Sequence, residues 1–145
     1  MQIGVNYLGR LRIEVNRLLQ SEVDDIDGVM AIALLSTNGL TLGFVKRGDL
    51  NIGDVDLSLF LTLMRDVINR IKRTKPDSWF TNFKYKVITI NGDQYSIVVI
   101  NNNDLNIVAI FENSVDVNIL MYRLTSDLEL LRKLLSESLN RISPS

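Results

Sequence analysis

The run DGVMAIALLSTNGLTLGF, from Asp27 to Phe44, sets the architecture expected of the whole chain. Val29 to Leu35 is continuously apolar and lies between turn-forming residues, which is typical of a strand covered on both faces. Asn38 and Gly39 both tolerate a positive φ, and a second strand-like run, Leu40 to Val45, follows them. The stretch therefore predicts an antiparallel hairpin.

A first amphipathic helix is predicted before the hairpin, from Tyr7 to Val23, because apolar residues recur there at helical spacing. Asp24, Asp25, Asp27 and Gly28 then end the helix, since Asp and Gly favour turns. The three carboxylates also suggest a cation site, but they lack the spaced loop and the fixed glycine of an EF-hand. A helix exit is the preferred interpretation.

A second helix is predicted after the hairpin, from Asp54 to Thr74. Its apolar stripe covers roughly half of the circumference, well beyond the ~100° of a helix that faces one core. The stripe consists of Leu57, Leu59, Phe60, Leu61, Leu63, Met64, Val67, Ile68 and Ile71. One layer of protein cannot easily cover this arc, so we expect the margin with Leu59, Leu63 and Val67 to pack against a second copy or a partner.

Three more strands are predicted at Phe83 to Ile90, Tyr95 to Ile100 and Leu105 to Phe111, with Asn91-Gly92 as a second Asn-Gly turn. A last helix is predicted from Asp116 to Ile142. On the outside of this helix, Arg123 is expected to pair with Asp127, and Glu129 with Lys133, each four residues apart. The apolar stripe contains Val117, Leu120, Met121, Leu124, Leu128, Leu131, Leu135 and Leu139.

The predicted fold is α+β, in the order α-β-β-α-β-β-β-α, with a five-stranded antiparallel sheet and helices on both faces. The most apolar strands, Val29 to Leu35, Tyr95 to Ile100 and Leu105 to Phe111, belong in the middle of the sheet. The strands Leu40 to Val45 and Phe83 to Ile90 are the expected edges. With 145 residues and no linker long enough to divide them, residues 1–145 are expected to form one domain.

The composition excludes several functional classes. The chain has no His and no Cys, which removes the imidazole base, the thiolate nucleophile and the commonest zinc ligands. It has no phosphate-binding G-x-x-x-x-G-K-[ST] motif, and its net charge of -1 argues against a nucleic-acid binder. No apolar run approaches the ~18 residues of a membrane span. We therefore expect a cytoplasmic protein that is not an enzyme, without cofactor, metal, nucleic acid or membrane insertion.

The segment from Asp27 to Phe44, following a helix, resembles the first hairpin of the roadblock / dynein light-chain family, and the order of elements matches that family across nearly the whole chain. The resemblance implies a three-layer, roadblock/profilin-like sandwich. It also implies a homodimer, or a heterodimer with a paralogue, in which the helix Val55 to Thr74 packs against its copy. The edge strand Lys84 to Ile90 would extend the sheet across the pair, so Lys84, Lys86 and Ile88 join the expected dimer interface.

The resemblance further implies a scaffold or regulator of a small Ras-like GTPase, or a subunit of a motor complex. We expect the partner to contact Asp66, Arg70, Arg73 and Trp79, because this patch combines an aromatic anchor with a charged rim. The basic residues also suit a solvated helix end, and Trp79 also suits a lid over the core. Two other classes remain open. These are a PAS-like or profilin-like small-molecule sensor, which needs a pocket with polar groups, and a longin-like trafficking adaptor, which normally begins with the first hairpin.

Overall fold

In a computed structural model, the described residues are 2–36, 40–48, 62, 66, 86–102 and 105–142. Two helices and five strands lie within these ranges. They are α1 (Gln2–Asp25), β1 (Val29–Ser36), β2 (Thr41–Lys46), β3 (Lys86–Asn91), β4 (Tyr95–Asn101), β5 (Leu105–Glu112) and α2 (Val117–Ile142). All seven were predicted. The predicted helix from Asp54 to Thr74 lies outside the described residues apart from Thr62 and Asp66, both of which have helical backbone.

The five strands form one antiparallel sheet in the order β2-β1-β5-β4-β3. The three strands expected in the middle are in the middle, and the two expected edges are the edges. β1 is buried along almost its whole length, as its continuous apolar sequence predicts. The chain therefore has the predicted α+β fold, a five-stranded antiparallel sheet with flanking helices.

Helices α1 and α2 both pack on the same face of the sheet. Alternate β5 residues point toward them, because successive side chains of a strand face opposite sides. The core contains Val15, Leu19 and Val23 of α1, Leu120, Leu124, Leu128 and Leu131 of α2, and Ile32, Leu34, Val98, Ile100, Ile107 and Phe111 of the strands. The apolar stripe predicted on the last helix, which repeats every 3.6 residues, therefore forms the α2 side of this core.

The opposite face of the sheet is also apolar. Leu35, Val99 and Val108 form a second buried cluster there, and Ile88 and Ile97 pack against it while partly exposed. Sequence pattern alone indicates this second face, since β1, β4 and β5 carry apolar residues at consecutive positions rather than alternate ones.

The turn between α1 and β1 depends on Gly28. Its φ is +96°, and a Cβ built there would lie 2.6 Å from Cγ2 of Val115. Its carbonyl oxygen accepts a hydrogen bond from the backbone N–H of Glu112 at 2.8 Å. The glycine therefore allows close contact with the turn after β5. The aspartates before it belong to a helix exit, as expected.

The β3–β4 hairpin forms as predicted, but its turn does not use the expected glycine conformation. Asn91 pairs with Ser96, and Gly92 does not have a left-handed φ. Instead, the Gly92 N–H donates to the Tyr95 carbonyl oxygen at 2.9 Å. The side chain of Asn113 also donates to the Gly92 carbonyl oxygen at 2.9 Å. The loop is therefore held by the turn that follows β5.

Two expectations for α2 were wrong. Val117 is 40% exposed, because it is the first residue of the helix and precedes the turn that reaches the core. Arg123 and Asp127 do not form an outer pair, since Asp127 is half-buried and Arg123 bonds across to α1. Glu129 contacts Arg132, with 3.4 Å between Oε2 and Nη2, and the pairing of Glu129 with Lys133 stays a prediction.

Candidate functional site

The β3 end of the sheet is the candidate interaction surface. Among the described strands, β3 pairs only with β4. Val87 and Ile90 of this strand are 44% and 43% exposed. An edge strand presents unpaired backbone groups that can hydrogen-bond another chain, and exposed β-branched side chains favour such pairing. This edge can therefore extend the sheet into a second molecule.

The other end of the sheet is covered by α1. The backbone N–H of Phe44 in β2 donates to the side-chain oxygen of Asn16 at 3.0 Å. The helix approaches this strand closely at Gly43, where a Cβ would lie 2.6 Å from Cγ1 of Val15. A helix over an edge is one way in which proteins prevent edge-to-edge pairing. The two edges therefore differ, and β3 is the one that presents exposed apolar side chains beside its free side.

The apolar surface of β3 continues onto the second face of the sheet. Ile90 is opposite Ile97 in the register, so both lie on that face together with Tyr95. Tyr95 is 43% exposed. These three residues connect the β3 edge to the buried cluster around Val99. We call this apolar strip the β3 surface and define it by Ile88, Ile90, Tyr95 and Ile97. Val87 lies on the same edge strand, with its side chain on the opposite face of the sheet.

A polar network rigidifies the hairpin that carries this surface. The hydroxyl of Ser96 donates to the side-chain oxygen of Asn113, and the backbone N–H of Asn113 donates to the carbonyl oxygen of Gln94 at 2.9 Å. Ser96 is buried. A buried hydroxyl that is hydrogen-bonded fixes its neighbours at little net cost. The tip of the hairpin is thus held against the turn that follows β5.

The predicted interface residues fall partly within the described ranges. Lys86 is the first residue of β3, and Ile88 lies on the second face against the cluster that contains Leu35. Asp66 is exposed in helical backbone. The other predicted dimer and partner residues lie outside the described residues: Leu59, Leu63, Val67, Lys84, Arg70, Arg73 and Trp79.

Sequence reasoning did not select Val87, Ile90 and Tyr95. The sequence KVITIN from Lys86 to Asn91 could have pointed to these residues. An edge strand with one face in water should carry polar residues at alternate positions, whereas this strand has apolar residues on both faces. Val87 and Ile90 fall on opposite faces of the sheet, so their exposure does not mark one polar face of the strand.

A charged cluster joins the two helices on the other side of the molecule. Nε of Arg123 donates to Oε2 of Glu22 at 3.0 Å, and an Nη atom of Arg123 donates to Oδ2 of Asp25 at 3.0 Å. These hydrogen bonds raise the pKa of Arg123 above its usual value. Burial raises the pKa of Asp127, which lies beside Glu22, to about 7. The sequence predicts the charge of each residue but not this contact across α1 and α2.

No set of three or more acidic side chains within 2–36, 40–48, 62, 66, 86–102 and 105–142 is arranged to hold a metal ion. In the same part of the chain, no helix combines the length and apolarity needed to cross a bilayer.

No protein-family model and no curated protein matches the sequence. Solved structures do match. MglB in a tetrameric arrangement is 14% identical with a TM-score of 0.69, over 88% of this chain and 92% of that one. A Roadblock/LC7 domain from Streptomyces avermitilis is 13% identical with a TM-score of 0.67, over 83% and 97%. MglB from Myxococcus xanthus is 14% identical with a TM-score of 0.65, over 87% and 90%.

These likenesses extend over most of both chains. Identities of 13–14% establish the fold alone. They agree with the resemblance that the Asp27 to Phe44 hairpin carries. The protein therefore has the fold of the Roadblock/LC7 domain.

Proposed function

We propose that this chain is a non-catalytic dimeric module that binds a small Ras-like GTPase, or that serves as a subunit of a larger GTPase- or motor-associated complex. Residues 1–145 would act as one domain, in the cytoplasm. The fold shared with Roadblock/LC7 and MglB structures supports the class of protein. The missing His, Cys and phosphate-binding loop support a role without catalysis.

The dimer would form across the β3 surface. Two β3 strands related by a two-fold axis run antiparallel, so each supplies the hydrogen-bonding groups that the other lacks. Exposed Val87 and Ile90 would be covered in that arrangement. Lys86 and Ile88 lie on the same strand. Lys84, which precedes them in the sequence, and Leu59, Leu63 and Val67 of the predicted second helix would complete the interface. The observation that carries this proposal is the β3 edge, which among the described strands pairs only with β4 and exposes Val87 and Ile90.

Sedimentation equilibrium at micromolar concentration tests the dimer. We expect the wild-type chain to sediment at twice its monomer mass of 16.5 kDa. Ile90→Lys places a charge inside the expected interface and should give monomers, since burying an unpaired ammonium is costly. Leu40→Lys is the matched control, because Leu40 is 62% exposed beside the opposite edge of the sheet. A wild-type monomer, or a Leu40→Lys monomer, would contradict the proposal.

The partner would dock on the patch formed by Asp66, Arg70, Arg73 and Trp79. This chain would act on the bound GTPase by orienting the GTPase's own residues or by offering it an arginine. Arg70 and Arg73 are the candidates for that arginine. The purified chain alone should hydrolyse neither GTP nor ATP. Turnover that follows the protein peak through successive purification steps would refute the non-catalytic role.

A further inference from the structure

The alignment of β5 on β1 is the part of the sheet that the apolar pattern specifies least. Val29 to Leu35 of β1 and Ile107 to Phe111 of β5 are apolar at every position, so a slip of one strand along the other would still bury apolar side chains. Short turns fix the registers of the β1–β2 and β4–β5 hairpins, but no turn joins β1 to β5. Another feature must therefore select the β1–β5 register.

Asn106 is the buried polar residue in this pairing. It is 0% exposed and lies opposite Leu35 on the second face of the sheet. Its side-chain oxygen accepts a hydrogen bond from Nδ2 of Asn101 in β4 at 2.5 Å. Its own Nδ2 donates to the carbonyl oxygen of Ser36 in β1 at 3.3 Å. One buried side chain thus joins three adjacent strands.

The hydrogen bonds continue into the turn of the first hairpin. The backbone N–H of Ser36 donates to the carbonyl oxygen of Leu40 at 2.8 Å, and the hydroxyl oxygen of Ser36 accepts from the N–H of Leu40 at 3.1 Å. Asn106 therefore bonds to the residue that closes the β1–β2 turn. The polar contacts at this end of the sheet extend from β4 to the start of β2.

The hydrogen bonds of Asn106 are compatible with one alignment of the strands. A slip of two residues toward the middle of β1 would place Asn106 opposite Ala33, about 7 Å from the carbonyl oxygen of Ser36. Its amide would then lose that acceptor among apolar side chains, and a buried donor without an acceptor is costly. A slip in the opposite direction would carry Asn106 beyond Ser36, the last residue of β1, and would break the same bond.

We propose that Asn106 is a register lock, because its bonds to Asn101 and Ser36 select one alignment of β5 on β1 from several that bury the apolar side chains equally. The lock also positions the β3 surface, since β3 pairs with β4 and β4 pairs with β5. A two-residue slip would move the β3 surface by about 7 Å relative to β1. The lock itself does not depend on the proposed dimer.

NMR spectroscopy of the full chain tests the lock. In the wild type, we expect one set of amide signals and cross-strand NOEs between Leu35 and Asn106. Asn106→Leu replaces the amide by an apolar group of similar size. This variant should stay folded but show a second set of β1 and β5 signals, at about 10% or more of the first set. The second set should show NOEs between Ala33 and residue 106.

Two further variants separate register from stability. Asn101→Leu/Asn106→Leu removes both partners of one hydrogen bond, a change that is often nearly neutral for stability, and it should keep the second register. Asn102→Leu is the matched control. Asn102 is also buried, but it accepts the Leu105 N–H at 2.9 Å within the β4–β5 turn, outside the β1–β5 pairing. It should lower the unfolding midpoint and keep a single register.

Three results would overturn the proposal. The first is a single native set of NOEs in both Asn106 variants. The second is failure of the double variant to fold, because the hydrogen bonds would then provide stability rather than register. The third is a second register in Asn102→Leu, because general destabilisation would then explain the slip.

Discussion

The side-chain oxygen of Asn16 lies 3.0 Å from the backbone nitrogen of Phe44, 28 positions along the chain, and accepts its hydrogen bond. A helix side chain thereby replaces the strand that would otherwise pair with this edge of β2. The opposite edge, β3, has Val87 and Ile90 exposed beside it. Of the two edges, β3 is therefore the one that can pair with another chain, because a covered edge cannot serve as a template for pairing.

Replacing Asn16 by alanine should expose the Phe44 N–H. We expect a loss of about 1 kcal/mol in the free energy of unfolding, since a half-buried backbone donor loses its partner. Amide exchange at Phe44 should accelerate. Gln20→Ala is the control, because the Gln20 side chain donates only to exposed Asp24 on the same helix. Equal exchange at Phe44 in the wild type and Asn16→Ala would contradict the assigned role.

Gly43→Ala should push α1 away from β2. The new Cβ would lie 2.6 Å from Cγ1 of Val15 and 3.0 Å from Oδ1 of Asn16, so the helix must shift. We expect a destabilisation of about 1–3 kcal/mol, typical of overpacking, measured by urea unfolding. Gly48→Ala, where nothing lies within 4 Å of the added Cβ, should be nearly neutral. A neutral Gly43→Ala would mean that α1 is not tightly packed on this strand.

Gly28→Ala combines a backbone penalty with a clash. A non-glycine residue at a φ of +96° is strained, and its Cβ would also meet Val115. We expect thermal unfolding to report a loss of about 2 kcal/mol or more. Gly9→Ala lies inside α1 with no atom within 4 Å of the added Cβ, so it should stabilise by a few tenths to about 1 kcal/mol. Opposite signs for the two variants are the decisive result.

Arg123→Met should leave Glu22 buried without its cation. We expect a loss of about 2–3 kcal/mol near neutral pH, somewhat below the cost of breaking a fully buried pair because Arg123 is partly exposed. Arg17→Met breaks the exposed pair with Glu14, at 2.9 Å, and should cost little. Equal losses for Arg123→Met and Arg17→Met would argue against a stabilising contact between Arg123 and buried Glu22.

Trp79→Ala and Arg70→Glu test the proposed partner surface. Trp79→Ala should weaken partner binding by about 1 kcal/mol or more while the dimer stays intact, as expected of an aromatic anchor. Arg70→Glu should mainly slow association and change its salt dependence. Calorimetry and stopped-flow binding at two salt concentrations measure these effects. Lower thermal stability with unchanged binding for Trp79→Ala would instead identify a lid over the core.

Much of the fold could be predicted because its signals are local. The apolar run from Val29 to Leu35 becomes the buried strand β1, and the leucine spacing after Asp116 becomes the core side of α2. A strand or helix shows its buried face through a repeat of two or 3.6 residues, so short windows suffice. The candidate site was less predictable, since Lys86 and Ile88 came from the resemblance to a family and Val87 and Tyr95 were not selected.

The sequence by itself determined the number, kind and order of the described strands and helices, and which strands are the edges of the sheet. Only the tertiary structure decided how the edges differ, through Asn16 at Phe44, and how Asn113 holds the turn at Gly92. The same is true of Arg123, whose partner Glu22 is 101 residues away. Periodicity reports which side of an element is buried, whereas a hydrogen bond between distant residues depends on the register and separation of packed elements. Those distances are set only when the whole core assembles.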